Sequence, residues 1–151
     1  MTLAFQVEPY LEVIEEIKPF YPLHYDELAS DKSIALNPDY AGYAWRAERG
    51  LLHTVTARQE GELVGYHISV IAPHLHYKHS LTAHVDIYYL RKDCRLGMNG
   101  VKLLQFAEET LAQRGVERIY MSTKTDADKS VILERLGFNE KERVFTKVIG
   151  G

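Results

Sequence analysis

The chain has 151 residues, of which 46% are hydrophobic and 26% charged, with a formal net charge of −3 and a single cysteine. This length fits one domain over residues 1–151, and the slightly acidic charge argues against a nucleic-acid-binding module that relies on broad electrostatic attraction. The lone Cys94 excludes an intramolecular disulfide and a cysteine-rich zinc site, and the absence of a signal-peptide pattern or a membrane-length apolar run predicts a cytoplasmic protein.

The first third of the chain is predicted to contain one short strand and several helices. Residues 2–8 alternate apolar and polar side chains, as strands do, whereas Leu11, Ile14 and Ile17 recur at helical spacing. In chain order, the predicted elements are a strand over 2–8, a helix that Pro19 and Pro22 end, a short helix and loop within 23–36, and a helix that begins at Asn37-Pro38 and ends near Gly50.

The remaining two thirds predict an antiparallel meander followed by alternating strands and helices. Residues 51–58 and 63–71 are rich in strand-forming side chains and flank a turn that contains Gly61, so they form a predicted hairpin. The later predicted elements are a histidine-rich loop or strand extension over 73–79, strands over 81–90, 116–122 and 143–149, and helices over 100–114 and 126–136. This order predicts a mixed α/β (α+β) sheet in which a parallel crossover follows the antiparallel strands.

The strand over 81–90 is predicted to place two sets of side chains on opposite faces, because alternate residues of a strand point in opposite directions. His84 and Asp86 are therefore predicted to share a face. One face carries Ala83, Val85, Ile87 and Tyr89, and the other carries Thr82, His84, Asp86 and Tyr88.

A strand, a turn with two glycines and an arginine, and a helix follow one another between Asp86 and Leu104. Such a turn aims free backbone N–H groups and the positive end of the helix dipole at one point, where a phosphate can bind. Gly97 and Gly100 would let the phosphate approach the main chain, and Arg95 would add a positive charge. The alternative is a strand-to-helix turn that uses glycine only for its own geometry.

Four motifs, taken in order, resemble those of the GNAT (GCN5-related N-acetyltransferase) superfamily, in particular its short bacterial and phage members. Arg95-Leu-Gly-Met-Asn-Gly100 resembles the acetyl-CoA motif Q/R-x-x-G-x-G/A, although Met98 stands where the family's first glycine usually is. The other three are Gly61-Glu-Leu-Val-Gly65, similar to the G-x-x-V-G hairpin, Glu134-Arg-Leu-Gly-Phe138, similar to E-K-L-G-F, and the closing strand at Val144-Phe-Thr-Lys147. The resemblance implies the GNAT fold, in which antiparallel strands precede β-α-β-α-β and a central pair of strands splays apart.

The resemblance implies that acetyl-CoA, as cosubstrate, lies where the strand ending at Leu90 splays from the strand starting at Val116. Its pyrophosphate would lie on the N–H groups of residues 96–101, and its pantetheine arm beside residues 89–91. Asp126 holds the place of a family asparagine, where a helix cap is the alternative role. The implied cofactor-binding residues are Tyr89, Leu90, Arg91, Arg95, Leu96, Gly97, Met98, Asn99, Gly100, Val101, Asp126 and Ser130.

The resemblance also implies where the base lies, since the amine must attack the thioester in its unprotonated form. The run from Ala83 to Leu90 aligns with the family pattern A-E-I-x-x-L-Y-V and places His84 at the glutamate that often serves as base. A neutral imidazole can accept a proton near neutral pH, and Asp86 could orient it or act as the base itself. The alternative for His84 is a structural histidine that is hydrogen-bonded within the sheet.

The usual acid of the family, a tyrosine just before E-K-L-G-F, is replaced here by Leu133. Tyr88, Tyr120 or Ser130 could protonate the leaving thiolate instead, or the thiolate could leave unassisted. No metal is predicted. The predicted catalytic residues are His84, Asp86, Tyr88 and Tyr120.

Two further clusters have open interpretations. His74, His76 and His79 could line the substrate cleft, and a shared metal is the less favoured alternative because no cysteine or carboxylate completes the set. The polar cluster at 24–27 and the aromatic residues of 40–45 fall where GNAT proteins build the helices of the acceptor site. The alternative is an amphipathic helix that packs its aromatic side chains.

The leading hypothesis is an N-acetyltransferase that moves the acetyl group of acetyl-CoA to a primary amine, on a small molecule or a protein, by direct attack in a ternary complex. The rival is a catalytically weak or inactive GNAT domain that binds CoA or a protein partner, which Leu133 and Met98 favour. No nucleic-acid or membrane partner is expected, and homodimers are common in the family. The sequence leaves the identity of the acceptor amine open.

Overall fold

The computed structural model describes residues 2–28 and 33–150, so part of the loop predicted within 23–36 lies outside the described residues. The strands are β1 (Ala4–Val7), β2 (Leu52–Gln59), β3 (Glu62–His74), β4 (Tyr77–Leu90) and β5 (Val116–Tyr120). The helices are α1 (Tyr10–Ile17), α2 (Phe20–Leu28), α3 (Tyr40–Glu48), α4 (Asn99–Gln113) and α5 (Ser130–Arg135), and a 3₁₀ turn at Lys92–Cys94 separates β4 from α4. No helix within the two described ranges is both long and apolar enough to cross a membrane.

The five strands form one mixed sheet with the order β1-β2-β3-β4-β5. Neighbouring strands are antiparallel from β1 to β4, and β5 joins β4 in parallel after the crossover through α4. A parallel pair needs such a crossover, because a tight turn can join only antiparallel strands. The predicted mixed α/β fold, with antiparallel strands followed by a parallel crossover, is confirmed.

Helices cover both faces of the sheet. On one face, the buried side chains of α1 pack around Tyr66 and Ile68 of β3. On the opposite face, Leu103 and Ala107 of α4 pack against Val55 of β2. Because burying one large apolar side chain stabilises the fold by about 1.5–3 kcal/mol, these contacts, more than helix propensity, fix the helices on the sheet.

β4 contains a bulge at Asp86. Val85 pairs with Ser69 of β3 and Ile87 pairs with Ile68, so Asp86 is an extra residue with no partner in β3. A bulge of this kind places two residues of one strand opposite one residue of the other, and it shifts the alternation of side chains by one.

The bulge overturns the predicted faces of this strand. Ala83 packs with Leu111 of α4, whereas Ile87 and Tyr89 pack with α1 on the opposite face, although strict alternation predicts one shared face for all three strand residues. Tyr88 moves in the same way to the α4 side, away from the other predicted catalytic residues of the strand.

β4 and β5 are paired over only part of their length. The pairing runs from Leu81 with Val116 to His84 with Tyr120, where β5 ends, whereas β4 continues to Leu90. Beyond His84, the edge of β4 that faced β5 is therefore open. This opening is the predicted splay between the central strands.

Two helix boundaries in the first third differ from the predicted ones. Pro22 lies in the first turn of α2 and does not end a helix, because a missing backbone N–H breaks no helical bond at that position. α3 begins at Tyr40 instead of Asn37, because Asp39 caps it by accepting a hydrogen bond from the Gly42 N–H at 2.9 Å.

The C-terminal part contains less regular structure than predicted. α5 starts at Ser130 instead of residue 126, and no strand forms over 143–149 or elsewhere in the described residues that follow α5. The tail side chains Val144, Phe145 and Ile149 are 77%, 89% and 89% exposed, because no neighbouring strand covers them. β5 therefore stays at the edge of the sheet.

Candidate active site

Asp86, at the bulge of β4, is bound by a side chain from a distant helix. The Tyr43 hydroxyl of α3 donates a hydrogen bond to its carboxylate. Burial, together with this hydrogen bond, raises the pKa of Tyr43, so the hydroxyl keeps its proton. Asp86 is exposed, and a carboxylate accepts several hydrogen bonds, so an ammonium group can bind beside Tyr43.

A stack of rings lies at the point where β4 and β5 separate. The His84 imidazole stacks on the Tyr120 ring, with centroids 4.8 Å apart and an angle of 8° between the planes. His74 of β3 stacks on the same tyrosine at 6.1 Å, and the Arg118 guanidinium donates to the Tyr120 hydroxyl oxygen at 3.2 Å. The structure therefore brings together His84 and Tyr120, two of the four predicted catalytic residues.

The environment of His84 differs from that of a structural histidine. Its side chain is exposed, and it makes no hydrogen bond with any other residue in the described part of the chain. The buried His53, by contrast, contacts Thr110 through Nε2 at 2.8 Å. Among the described residues, His84 therefore contacts its neighbours by stacking on Tyr120 and not by the side-chain hydrogen bond that the structural alternative supposes.

Tyr88 lies on the α4 side and is bound to the start of that helix. Its hydroxyl donates to the Gly100 carbonyl at 2.7 Å, and its ring packs with Leu103 and Ala107. Burial raises the pKa of Tyr88 to about 12. The prediction that Tyr88 shares a face with Asp86 is wrong because of the bulge, and its contacts suit a residue that positions α4.

Arg95 links the predicted cofactor loop to α2. Its Nε donates to the Leu90 carbonyl at 2.5 Å, and its Nη2 donates to the Glu27 carboxylate at 2.7 Å. The guanidinium also lies over the Tyr89 ring, 5.4 Å from the centroid. Since 38% of the Arg95 side chain is exposed, an anion that arrives at the loop can compete with Glu27 for it.

The end of β4 offers its main chain to a ligand, because its side chains are engaged elsewhere. Tyr89 and Leu90 are buried in two separate core clusters. The Arg91 guanidinium binds Asp93 at 2.7 Å, and the Arg91 N–H donates to the Val64 carbonyl at 2.7 Å. These three predicted cofactor-binding residues can therefore contact a ligand through the main chain at the open edge of the strand.

The start of α4 has the geometry of an anion site. Met98 is the N-cap residue and provides no side-chain capping bond, and the Lys102 N–H donates back to the Met98 carbonyl at 2.8 Å. The amides of Gly100 and Val101 precede that helical bond and lie at the positive end of the helix dipole. Gly97 has φ +58°, a left-handed conformation that other residues adopt at a cost.

The Tyr88 hydroxyl lies so close to Gly100 that this position has little room for a side chain. A Cβ at this position would lie 2.9 Å from the Tyr88 hydroxyl oxygen, so a larger residue would displace that hydrogen bond. The Asn99 side chain donates to the main chain of the preceding 3₁₀ turn at 3.0 Å, which holds the loop in shape. These residues fit a pyrophosphate bound on main-chain amides.

The residues around α5 make contacts that differ from the predicted ones. Asp126 is exposed, and it does not cap α5 because the helix starts four residues later. Asp128 instead accepts hydrogen bonds from the Ser130 N–H at 2.9 Å and from the Ser130 hydroxyl at 3.0 Å. Leu133, at the position of the family's tyrosine, is buried with 6% exposure.

The histidine-rich segment combines its two predicted forms: it extends β3 to His74 and β4 from Tyr77, and a turn at residues 75–76 joins the two strands. His74 and His76 have ring centroids 5.1 Å apart, and the His76 N–H donates to His74 Nδ1 at 3.0 Å. No group of three or more histidine, cysteine or acidic side chains in residues 2–28 and 33–150 could hold a metal ion.

An open cavity of about 450 Å³ lies between α2, residues 34–38, α3 and β4. Tyr43, which binds Asp86, is one of its lining residues, and Ile87 next to the bulge is another. The family resemblance implies that the aromatic residues of 40–45 belong to acceptor-site helices, but the sequence gives no signal for the wall at 34–38, which has no periodicity.

The sequence matches a family model over most of its length. The model, described as the acetyltransferase (GNAT) family, matches residues 11–138. No curated protein sequence matches the chain.

Solved structures resemble the chain in fold at low sequence identity. A ribosomal-protein-alanine N-acetyltransferase from Brucella melitensis biovar Abortus 2308 is 16% identical with a TM-score of 0.76, over 100% of both chains. An aminoglycoside acetyltransferase from an uncultured soil metagenomic sample is 17% identical with a TM-score of 0.75, over 99% of this chain and 100% of its own. A predicted acetyltransferase with acetyl-CoA, from Clostridium acetobutylicum, is 11% identical with a TM-score of 0.72, over 98% and 97%.

Proposed function

The chain belongs to the GNAT acetyltransferase family, whose model matches residues 11–138, and from this premise we propose that it is an acetyl-CoA-dependent N-acetyltransferase that acts on a primary amine. The observation that carries the proposal is the open edge of β4. This strand leaves β5 after His84, passes Asp86 and runs through the glycine loop into the uncapped start of α4. A histidine, a carboxylate and an anion-binding helix start thus follow one another along a single strand and loop.

For acetyl-CoA, we propose that the amides of Gly100 and Val101 hold the pyrophosphate at the start of α4. Gly97 gives the loop its bend, and Arg95 adds positive charge when it turns away from Glu27. The open main-chain edge of β4 holds the pantetheine arm. When bound, acetyl-CoA supplies a thioester whose carbonyl carbon is open to attack.

In the proposed reaction, the amine nitrogen attacks the thioester carbonyl carbon directly, the C–S bond breaks, and an N-acetyl amide and CoA are formed. His84 takes the proton that the amine loses, and Asp86 with Tyr43 orients the amine. Tyr120 gives a proton to the leaving sulfur, because its oxygen accepts from Arg118 and its own hydrogen remains available to donate. Tyr88 positions α4 and takes no part in proton transfer.

A second candidate function is a CoA-binding module with weak or no catalysis. Leu133 supports it, because a buried leucine stands where the family's acid tyrosine would be. In that case, CoA would bind at the loop and no amine would be acetylated.

The test is thiol release from acetyl-CoA in the presence of a panel of primary amines, combined with the shift in melting temperature that CoA produces. Thiol release together with a CoA-dependent shift supports the acetyltransferase. A shift without thiol release supports the binding module. Calorimetry that finds no CoA binding at millimolar ligand would contradict both.

A homodimer is the proposed assembly. Val144, Phe145 and Ile149 of the tail are exposed, and β5, like β1, is an edge strand of the sheet in the described part of the chain. An open edge can accept a further strand through main-chain hydrogen bonds. We therefore propose that the tail of one copy pairs with β5 of a second copy.

A further inference from the structure

The walls of the cavity beside Asp86 suit an apolar ligand. Tyr21, Tyr25, Ile34 and Leu36 line it, and a volume of about 450 Å³ lies within the range of small-molecule sites. The Tyr25 hydroxyl donates to the Ile34 carbonyl at 2.8 Å, which ties α2 to residues 34–38 and uses the proton of that hydroxyl.

The cavity carries little charge of its own. Burial lowers the pKa of His24 to about 4, so this lining residue is neutral at pH 7. Lys124 is exposed, and among the lining residues that the structure describes it is the one with a formal charge. A positive charge here disfavours ligands with several ammonium groups, and apolar walls disfavour a polyhydroxylated body, whose hydroxyls would lose their water.

A partner for one ammonium group is nevertheless present. The Asp86 carboxylate is bound by Tyr43, which also lines the cavity, so the negative charge lies at the edge of the apolar space. Burial and this hydrogen bond raise the pKa of Tyr43, so its hydroxyl keeps its proton and donates it to the carboxylate. A single anion beside an apolar cavity complements one amino group on an apolar body, and it repels a phosphate or carboxylate at the same point.

We infer that the acceptor is an aralkyl primary amine, which is an aromatic ring on a short aliphatic chain that ends in one amino group. The ring lies in the cavity against Tyr21, Tyr25 and Leu36, and the amino group reaches Asp86 at the bulge. This inference rests on the proposed acetyl transfer and narrows its acceptor to one chemical class.

The first test compares three amines as acceptors by thiol release from acetyl-CoA. The kcat/KM for 2-phenylethylamine is expected to exceed that for ethanolamine at least about 10-fold, since burial of each methylene-sized group strengthens binding about four-fold. It is also expected to exceed that for kanamycin, which has several ammonium groups and many hydroxyls.

The second test changes the cavity wall. Leu36→Asp is expected to lower kcat/KM for 2-phenylethylamine at least about 10-fold and to change that for ethanolamine much less, because ethanolamine is too short to pack on the wall. Leu11→Asp is the matched control, since Leu11 is exposed on α1 to a similar degree and does not line the cavity. An unchanged melting-temperature shift with CoA shows that each variant is folded.

The outcomes separate the substrate class from the reaction. Equal kcat/KM for 2-phenylethylamine and ethanolamine, or a preference for kanamycin, would overturn the aralkylamine assignment and leave acetyl transfer standing. If no amine releases thiol, the acetyl transfer is wrong. Calorimetry of 2-phenylethylamine with CoA-saturated protein then tests whether the cavity binds this class of amine. If the wild type binds 2-phenylethylamine and Leu36→Asp does not, the cavity assignment is supported. If the wild type does not bind it, the assignment is overturned.

Discussion

Asp86 illustrates how one extra residue in a strand creates a chemical site. Because it has no partner in β3, it stands beside Ile87 where Tyr43 reaches it from α3. In a regular strand, Ile87 would point away from the side that Asp86 occupies. The bulge instead sets a carboxylate next to an apolar wall residue, which is the combination that an amine on an apolar body needs.

Separate substitutions distinguish the base from the group that orients the amine. His84→Ala should lower kcat about 100-fold, the usual scale for loss of a general base, while CoA still raises the melting temperature. Asp86→Asn should instead raise KM for the amine, because the amide no longer attracts an ammonium group. Steady-state thiol release at varied amine concentration measures both parameters.

Glu12→Gln is the control for this pair, since it removes one carboxylate from an exposed position on α1. It should change neither kcat nor KM. His84→Glu restores the commoner family residue and should keep part of the activity. Wild-type kcat in His84→Ala would show that His84 is not the base.

At the scale of single residues, a sequence pattern can identify candidate residues that lie close together in the chain, but it does not predict contacts between residues that are far apart in the chain. His84 and Asp86 could be named because they lie on one strand within a family pattern. The bond between Tyr43 and Asp86 joins residues 43 positions apart, and no local pattern encodes it. The helix cap that was the alternative role of Asp126 is not formed, and Asp128 instead binds Ser130. The sequence did not predict this contact, because α5 starts later than its apolar periodicity indicates.

At the scale of elements, the loop between β4 and α4 depends on main-chain geometry. Its amides can act only if nothing fills the space in front of them, and Gly100 already lies against the Tyr88 hydroxyl. Side-chain identity at this position therefore controls two contacts, one within the fold and one with the proposed ligand.

Gly100→Asp should abolish the melting-temperature shift with CoA, because it adds a side chain and a negative charge where the pyrophosphate would bind. Asn139→Asp is the matched control, since it adds the same charge at an exposed position beyond α5. The measurement is a thermal melt with and without CoA. A full shift in Gly100→Asp would mean that CoA binds elsewhere.

The contact between β2 and α4 makes the fold sensitive to acid. Burial, with a smaller effect of the Arg114 guanidinium, lowers the pKa of His53 from 6.5 to about 4. The Arg114 Nη1 lies 3.2 Å from His53 Nδ1, so a proton on that nitrogen would face a positive charge. The unfolded chain therefore takes up a proton at a higher pH than the folded protein does.

Stability should accordingly fall as pH drops from about 6.5 toward 4. Between about pH 7.5 and 5.5, His53 alone should reduce the free energy of unfolding by roughly 1.4 kcal/mol, the value of one pKa unit. His53→Gln should weaken that pH dependence, and His76→Gln, at an exposed position, should not. Urea denaturation at the two pH values measures the free energy of unfolding of each variant. If this free energy depends on pH as strongly in His53→Gln as in the wild type, His53 is not the group responsible.

Most strands and helices were predictable because their side chains repeat at the spacing of the element. The bulge at Asp86 was not, because it is defined by which β3 residues pair on either side of it. The strand predicted over 143–149 was wrong for a related reason. Its alternation satisfies the local pattern, but in the described part of the chain the segment does not pair with the edge that β5 offers.

At the scale of the whole molecule, the exposed tail is the feature that predicts association. If it pairs with β5 of a second copy, the wild type should be a dimer, and Thr146→Pro should make it a monomer, because proline removes a main-chain donor within the paired segment. Lys141→Pro, in the tail but outside the predicted strand, should leave the dimer intact. Light scattering during size-exclusion chromatography gives the masses.

A monomeric wild type, or a Thr146→Pro variant that stays dimeric, would exclude the tail as the interface. The prediction of one domain over residues 1–151 remains a prediction at this scale. A single cooperative melting transition is its expected signature.

The ion pair between Arg95 and Glu27 couples the two proposed binding sites. α2 carries Glu27 and also lines the cavity that is proposed to hold the amine, whereas Arg95 belongs to the loop that is proposed to hold the pyrophosphate. A pyrophosphate that binds Arg95 would break the ion pair between Arg95 and Glu27. Because α2 would lose this contact, the stability of the cavity lining that α2 forms would change. Thermodynamic linkage then requires the amine to change the affinity for CoA by the same factor by which CoA changes the affinity for the amine.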